Sequence, residues 1–338
     1  MRNKKFQMAC EGQAQAVPPV WMMRQAGRYH KHYQALRSQH SFIELCKKPK
    51  LAAEVALGPV VDFDFDVSIL FSDLLFPLEA LGMGLSYDPA PKLGWHLKES
   101  ADFNNMNSFE NAIEALQFQG EAVKETRKVL PNNKSLIGFV GSPWTLFVYA
   151  VAGSHKDSLV EVKKRMSLFP KFAEVVTPLM IENIKIQLDA GAEKVMVFDT
   201  AAGELSSQDF DLFVAPELTK ISQTYPGQLG YYSKNTLPEH LALLRATSTW
   251  GGFAFDHRWS LADCFQKSSG FVQGNFDQTL LFQKPEEFEK TFRRYLIPFQ
   301  NLSPEQRAGW VCGLGHGVLP QTPEENVKSF VRILRESF

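Results

Sequence analysis

Two arginines stand four residues apart in the segment Arg24-Gln25-Ala26-Gly27-Arg28-Tyr29-His30, directly after a hydrophobic run. A guanidinium group presents its N–H donors in a rigid fork that matches the two oxygens of a carboxylate or a phosphate. The glycine between the arginines permits close approach of the backbone to a bound group. The segment therefore predicts a site for a polyanionic small molecule. The alternative is a pair of solvated surface arginines.

Two aspartates follow apolar runs and are candidates for chemistry. Asp73 comes after residues 67–71, and a carboxylate in an apolar site can accept several N–H groups or balance a developing cation. The alternative is a helix N-cap before Leu74. Asp199 has a similar alternative, because it could cap the turn into residues 201–205. The sequence leaves these alternatives open.

An aromatic residue and a histidine complete the candidate polar groups. Tyr149 could donate a hydrogen bond to a ligand carboxylate, but beside Trp144 and Phe147 the sequence favours a place in a helix core. His316 lies between two glycines, which favours a ligand-facing ring over a satisfied core histidine. The glycine-rich run around it lacks the later acidic residue of a dinucleotide fingerprint. His30 and His32 do not form a convincing metal pair, so no metal is predicted.

Composition and charge exclude several classes of protein. The 338 residues are 44% hydrophobic and carry a net charge of −1, so no global attraction to nucleic acid or to an anionic membrane is expected. The four cysteines are far apart and indicate neither a disulfide framework nor a zinc site, which suits a reducing cytosol. The first fifteen residues lack the apolar core of a signal peptide. Residues 135–154 are the most membrane-like, but Gly138, Gly141 and Pro143 predict a strand, a turn and a helix instead.

Short apolar runs alternate with longer helical patterns along the chain. Eight strands are predicted, at residues 17–22, 66–71, 135–140, 194–198, 228–232, 251–255, 270–274 and 309–312. Helices are predicted at residues 49–61, 108–129, 169–190, 237–246, 285–297 and 323–335, and an inserted loop or hairpin at 84–104. This alternation predicts a single-domain α/β fold over residues 1–338, a (β/α)8 TIM barrel. Because the polar candidates follow the predicted strands, one cleft at the carboxyl ends of the strands is expected.

Several motifs resemble the signatures of the uroporphyrinogen decarboxylase family. The two longest are Arg24-Gln25-Ala26-Gly27-Arg28-Tyr29 and Gly138-Phe139-Val140-Gly141-Ser142-Pro143-Trp144-Thr145-Leu146. Shorter matches are Ile69-Leu70-Phe71-Ser72-Asp73, Phe198-Asp199-Thr200, Gln273-Gly274-Asn275 and Gly315-His316-Gly317. They run in order from about residue 18 to residue 326, so the resemblance covers nearly the whole chain.

The resemblance implies a homodimeric enzyme, and the scattered cysteines favour a cytoplasmic location. The enzyme would remove CO2, without a cofactor, from the four acetate side chains of uroporphyrinogen III and give coproporphyrinogen III in haem biosynthesis. Catalytic roles fall on Asp73, which would face the pyrrole N–H groups, and on Arg24 and Arg28, which would grip substrate carboxylates. The substrate-binding set that it implies is Arg24, Gln25, Ala26, Gly27, Arg28, Arg37, Asp73, Tyr149, Thr200 and His316.

The chain departs from the family pattern at several places, which concern loop conformation and dimer packing. Thr200 stands where the family often has serine, and His257 stands where it has tryptophan. Residues 61–62, residues 152–156 and Gln278 also differ from the usual motifs. Two alternatives remain. One is a zinc-dependent methyltransferase of the same superfamily, and the other is a non-catalytic tetrapyrrole carrier.

Overall fold

The computed structural model describes residues 2–87, 90–155, 157–247, 249–265 and 270–338. Residues 88 and 89 of the predicted hairpin and Lys156 of the departing segment lie outside the described residues. Within the described ranges, seven strands form one parallel sheet in the order β1-β4-β5-β6-β7-β8-β9, and β2 and β3 form a separate antiparallel hairpin. The strands are β1 Val67–Ile69, β2 Leu85–Tyr87, β3 Pro91–Leu93, β4 Ser135–Gly141, β5 Val195–Asp199, β6 Leu229–Ser233, β7 Gly252–Ala254, β8 Phe271–Phe276 and β9 Trp310–Leu314.

Helices connect the strands and cover the sheet. The α-helices are α1 Lys4–Cys10, α2 Lys31–Gln39, α3 Phe42–Lys47, α4 Pro49–Phe63, α5 Phe76–Ala80, α6 Phe109–Val129, α7 Pro143–Ala152, α8 Val160–Lys163, α9 Phe169–Asp189, α10 Ser207–Asp209, α11 Ala215–Thr224, α12 Pro238–Ala246, α13 Leu261–Phe265, α14 Pro285–Gln300 and α15 Glu324–Ser337. Short 3₁₀ turns lie at Ser100–Asn105, Asp157–Leu159, Met166–Leu168, Ala202–Glu204 and Gln278–Phe282, and a π-helical turn lies at Phe210–Val214. The predicted helices and the predicted hairpin are confirmed, with ends that move by three residues or fewer for the helices.

The sheet is buried on both faces, as expected of parallel strands covered by helices. Strands β4, β5, β6, β8 and β9 contain only buried residues. Neighbouring strands pair in register, for example Gly138 with Val195 and Val195 with Leu229. Their carboxyl ends therefore lie along one edge, which brings the loops after them together.

The first predicted strand is where the structure differs from the prediction. Residues 17–22 form only one isolated bridge, Val20 with Cys312, rather than a ladder. Pro18 and Pro19 have no N–H to donate, and the Val20 N–H donates to the side chain of Asp66 at 2.9 Å. The parallel α/β sheet is thus confirmed, but the expected eight-stranded sheet is replaced by seven strands and a short bridging segment.

The bridging segment nevertheless contacts both edge strands of the sheet. On one side, the Cys312 N–H donates to the Pro19 carbonyl at 2.9 Å. On the other side, the Asp66 N–H donates to the Val20 carbonyl at 3.0 Å. These bonds fix the start of the arginine segment between β9 and β1.

Local sequence signals set the start and end of the helix that follows β4. The hydroxyl of Ser142 accepts a hydrogen bond from the Thr145 N–H at 3.2 Å, and Pro143 occupies the first helical turn. Helix α7 ends at Gly153, whose φ of 69° suits a residue without a Cβ. The stretch that looked membrane-like is therefore β4, a turn and α7. No helix among the described residues is long and apolar enough to cross a membrane.

Candidate active site

The arginine segment is held by the side chain of Gln25. Its amide oxygen accepts from the Met22 N–H at 3.1 Å, and its amide nitrogen donates to the Val67 carbonyl at 3.0 Å. The Tyr29 hydroxyl donates to the Gln25 carbonyl at 2.8 Å. The side chain of Gln25 is thus buried and ties the segment to β1 through Val67. Ala26 and Gly27 follow it, partly exposed.

The unusual backbone conformation falls on Arg24 and not on Gly27. Arg24 has a φ of 60°, in the left-handed region that costs a residue with a Cβ about 1–2 kcal/mol. The segment after β9 passes close by, because the Val318 N–H donates to the Met23 carbonyl at 2.9 Å. A Cβ on Gly317 would lie 2.5 Å from the Arg24 Cδ, so this glycine makes room for the Arg24 side chain.

The Arg24 guanidinium is exposed and has no hydrogen bond or ion pair to any residue that the structure describes. Its charge opposes the rise that burial causes in the pKa of Asp73, and it adds to the lowering that burial causes in the pKa values of His155 and His316. Asp73 follows β1, His155 follows α7 and His316 follows β9, so Arg24 lies near groups from three separate parts of the chain.

Arg28 and Arg37 lie together around a different residue, Tyr33. Burial raises the pKa of the Tyr33 hydroxyl, and the charges of Arg37 and Arg28 oppose that rise. Both arginines are exposed, and Arg37 also donates to the His40 carbonyl at 2.9 Å near the end of α2. The ring of Tyr33 packs against Phe71, which precedes Asp73, at 5.7 Å between centroids. That places the two arginines near the Asp73 loop, while their contact with substrate stays a prediction.

One of the two carboxylate oxygens of Asp73 accepts a hydrogen bond from the local backbone. Oδ1 accepts from the Leu75 N–H at 2.9 Å, so the residue closes a turn just before α5 rather than capping the helix itself. Burial raises the pKa of the Asp73 carboxyl, and the Leu75 N–H, the Tyr87 hydroxyl and the charge of Arg24 act against that rise. The Tyr87 hydroxyl is buried, and no hydrogen bond of standard geometry satisfies it within the described residues. The carboxylate is therefore partly desolvated beside Tyr87.

Tyr149 and Thr200 meet at His155. The ring of Tyr149, in the last turn of α7, lies 4.8 Å from the His155 ring, centroid to centroid. The Thr200 hydroxyl oxygen lies 3.5 Å from the His155 ring nitrogens. Burial lowers the pKa of His155 to about 4, with help from the charges of Lys234 and Arg24, so the ring is neutral at pH 7. Trp144 and Phe147 are fully buried, and Tyr149 alone of the three aromatics is partly exposed.

The ring of His316 lies against Tyr232, and burial keeps it neutral. The Tyr232 hydroxyl lies 2.9 Å from both the Gly315 carbonyl and the His316 Nδ1. The hydroxyl has one proton and the carbonyl can only accept, so we infer that the His316 Nδ1 carries the other proton. Burial, with the charge of Arg24 next, lowers the pKa of His316 to about 3. The Nε2 atom of the neutral ring is then an acceptor.

The glycines that flank His316 have a packing role. A Cβ on Gly315 would lie 2.5 Å from the His257 backbone nitrogen. A Cβ on Gly317 would lie equally close to the Arg24 side chain. Close approach of neighbouring loops, rather than exposure of the ring alone, requires glycine at these positions.

Asp199 lies beneath the cleft, in the protein interior. Its Oδ1 accepts from the Thr145 hydroxyl at 2.7 Å, and its Oδ2 accepts from the Tyr231 hydroxyl at 3.1 Å. Burial raises the pKa of Asp199 to about 6. The residue joins β5, β6 and the start of α7, so it supports the site without facing it.

Three residues near the cleft were missed by the sequence analysis. His155 lay in a segment noted only for its departure from the family, and Tyr87 lay in the predicted hairpin. Lys234 follows β6, the only central strand whose next residues were not considered. The rule that site residues follow strands would have found it. Among the described residues, no group of three or more His, Cys, Asp or Glu side chains could hold a metal ion.

Comparison with known proteins decides the family. A family model described as uroporphyrinogen decarboxylase (URO-D) matches residues 1–337. The chain belongs to the uroporphyrinogen decarboxylase family. It is 35% identical to the uroporphyrinogen decarboxylase of Geotalea daltonii over 96% of each chain. It is 34% identical to that of Myxococcus xanthus over 97% of this chain and 95% of that one.

These relatives support a carboxy-lyase that acts by decarboxylation in tetrapyrrole biosynthesis. The resemblance stated from the motifs is thereby confirmed. Among solved structures, a methyltransferase from Methanosarcina mazei matches with a TM-score of 0.76 and 20% identity, covering 99% of this chain and 98% of that chain. A putative vitamin-B12 independent methionine synthase from Listeria monocytogenes matches with a TM-score of 0.56 and 12% identity, covering 97% and 98%. At such identities these matches concern the fold alone.

Proposed function

We propose that this chain removes CO2 from the four acetate side chains of uroporphyrinogen III and releases coproporphyrinogen III. The observation that carries the proposal is the pairing of an unpartnered cation, Arg24, with a partly desolvated carboxylate, Asp73, in one cleft. A ligand that suits both must carry carboxylates at its edge and N–H groups at its centre. A porphyrinogen has that arrangement.

The arginines bind the periphery of the substrate. The substrate carries eight carboxylates, whereas the protein has a net charge of −1, so local cations must bind them. Arg24 contributes an exposed guanidinium whose donors have no partner among the described residues, and Arg28 lies on the same segment. Forked hydrogen bonds to carboxylates would hold one edge of the macrocycle and fix which acetate faces the reacting centre. Gln25 supports this segment from beneath, through its bonds to Met22 and Val67.

The substrate itself accepts the electrons that decarboxylation leaves behind. Protonation of a pyrrole ring carbon gives a cation, and cleavage of the bond between the acetate CH2 and its carboxylate then sends an electron pair into the ring. Protonation of the resulting exocyclic carbon and loss of the ring proton give a methyl group and an intact pyrrole. The net change is one CO2 replaced by one proton, which needs no external electron sink. An arginine, a substrate carboxyl or water can supply the proton.

Asp73 stabilises the cationic intermediate. Its Leu75 hydrogen bond fixes one oxygen, and Oδ2 faces no competing donor of standard geometry among the described residues. A carboxylate that is already desolvated and fixed stabilises a neighbouring cation without reorganising at the moment of reaction. In the resting complex the same oxygen accepts from the pyrrole N–H groups.

Tyr149, Thr200 and His316 complete the lining. The Tyr149 and Thr200 hydroxyls donate to carboxylates, and the neutral His316 Nε2 accepts from a donor of the substrate or becomes charged beside a carboxylate. We further propose that residues 17–22 close the seven strands into the eight-membered barrel of one domain. The hydrogen bonds of Pro19 and Val20 to the two edges support this closure.

The remaining expectations follow from the family resemblance. We propose a cytoplasmic homodimer that works without a cofactor, and the four free cysteines suit a reducing compartment. Light scattering during size-exclusion chromatography tests the dimer, with a single-chain mass as the contrary result.

Anaerobic incubation with uroporphyrinogen III tests the activity. The purified protein is incubated without added cofactor, and the products are oxidised and separated by chromatography. We expect coproporphyrin together with intermediates that carry seven, six and five carboxyls. No conversion by folded protein that still binds the porphyrinogen would overturn the proposal and favour a carrier.

A further inference from the structure

Lys234 presents an unpartnered cation at the edge of the cleft. It follows β6 directly and is partly buried. Its ammonium group has no hydrogen bond or ion pair with any residue in the described ranges. Lys194, which is also partly buried, donates to the Gly227 carbonyl at 2.6 Å. Lys234 is therefore the exception among the partly buried lysines that the structure describes, because Lys5 and Lys47 form ion pairs.

The backbone that carries Lys234 is fixed on both sides. The Lys234 N–H donates to the Asp199 carbonyl at 3.3 Å, and the Asn235 N–H donates to the Asp256 carboxylate at 2.7 Å. The 3₁₀ turn at Ala202–Glu204 packs directly on it, because a Cβ on Gly203 would lie 2.4 Å from the Lys234 carbonyl oxygen. A rigid backbone with an unused cationic side chain is typical of a built ligand contact.

Lys234 shares its surroundings with the residues already placed in the cleft. Its charge lowers the pKa values of His155 and His316, as does the charge of Arg24. His155 in turn contacts Tyr149 and lies beside Thr200. The cleft therefore has a cation on the β6 side as well as the arginines before β1.

We propose that the Lys234 ammonium binds a substrate carboxylate different from those held by Arg24 and Arg28. This inference rests on the proposed function. A tetrapyrrole distributes its carboxylates around a ring, and two arginines from one short segment can hold only one side of it. A lysine binds as a flexible point charge, which accommodates carboxylates that shift as acetates are lost.

Equilibrium binding of porphyrinogens to variants of the full chain tests the proposal. Lys234→Met keeps the length of the side chain without the charge, and Lys234→Arg restores the charge. Lys290→Met, on the exposed side of α14, is the matched control. Dissociation constants are measured anaerobically for uroporphyrinogen, which has eight carboxylates, and for coproporphyrinogen, which has four. Conversion by the wild type is scored separately.

We expect Lys234→Met to raise Kd for uroporphyrinogen roughly ten- to a hundredfold, as for loss of a charge-assisted hydrogen bond. The dependence of Kd on ionic strength should also weaken. Lys234→Arg should recover most of the affinity, and Lys290→Met should match the wild type. An equal loss with coproporphyrinogen would place the contact at a propionate, and a loss with uroporphyrinogen alone would place it at an acetate.

Unchanged affinity in folded Lys234→Met protein would overturn the inference. If that variant does not fold, Lys234→Gln replaces it under the same criteria. A wild type that binds uroporphyrinogen but does not convert it refutes the proposed function and leaves this inference testable through Kd. A wild type that binds no porphyrinogen refutes both.

Discussion

Substitution of Gly317 by alanine should impair catalysis by displacing Arg24. The new Cβ would lie 2.5 Å from the Arg24 Cδ and 2.8 Å from its Cγ, whereas ordinary contacts begin at 3.4 Å. The Arg24 side chain must therefore move by about 1 Å, a misplacement that can cost roughly a hundredfold in rate. Gly317 has no positive φ, so alanine is compatible with its backbone. We expect kcat/KM to fall about 30- to 100-fold, or about 2–3 kcal/mol in the barrier.

A double-mutant cycle tests the reasoning. Gly317→Ala, Arg24→Ala and the double variant are compared in kcat/KM for uroporphyrinogen decarboxylation and in free energy of unfolding by urea. If Gly317 acts through Arg24, alanine at position 317 should add almost nothing once Arg24 is gone. The stability of Gly317→Ala should stay within about 1 kcal/mol of the wild type, because a flexible side chain can yield. Near-normal kcat/KM in Gly317→Ala, or fully additive effects, would refute this account of the Arg24 geometry.

Three further outcomes concern charge and backbone strain. Asp73→Asn keeps the acceptor for the Leu75 N–H and should fold, but turnover should fall about a hundred- to a thousandfold; near-normal steady-state rates would exclude the cation-stabilising role. The free energy of unfolding by urea should be about 1 kcal/mol higher for Arg24→Gly than for Arg24→Ala, because glycine adopts the φ of 60° without strain. Equal free energies of unfolding would contradict strain at Arg24. The pKa of the Asp199 carboxyl is about 6 in the folded protein and 3.8 in the unfolded chain. The folded state therefore binds more protons than the unfolded state between these values. The stability of the wild type should fall as the pH rises from about 4 to about 6. Asp199→Asn lacks this dependence, so its free energy of unfolding relative to the wild type should improve by roughly 3 kcal/mol between pH 4 and pH 7. If the difference in free energy between variant and wild type does not change with pH, the raised pKa is contradicted.

The sequence predicted the elements well because they depend on short-range signals. Helix α7 begins after Ser142-Pro143 and ends at Gly153, and the apolar runs of β4 to β9 reflect burial on both faces. The first strand was predicted less well, because its Val20 N–H bonds to the Asp66 side chain, 46 residues away. No local pattern reports such a partner.

In the candidate site, too, the sequence predicted local features but not contacts between distant residues. The motif identified Arg24 and predicted close approach of the backbone at Gly27, but it did not indicate the left-handed conformation of Arg24. Gln25, expected to bind substrate, has its amide bound at both ends by the protein. Lys234 was missed because its significance depends on which loops meet above the strands.

The sequence by itself determined the family, the alternation of strands and helices, and the residue types available for binding carboxylates. These follow from local periodicity, capping and motif spacing, which act over a few residues. Only the tertiary structure decided that Asp73 is desolvated beside Tyr87, that burial keeps His316 neutral, and that Asp199 is buried in the interior. Desolvation, charge and hydrogen bonding act through space, so they depend on neighbours that are distant in the chain.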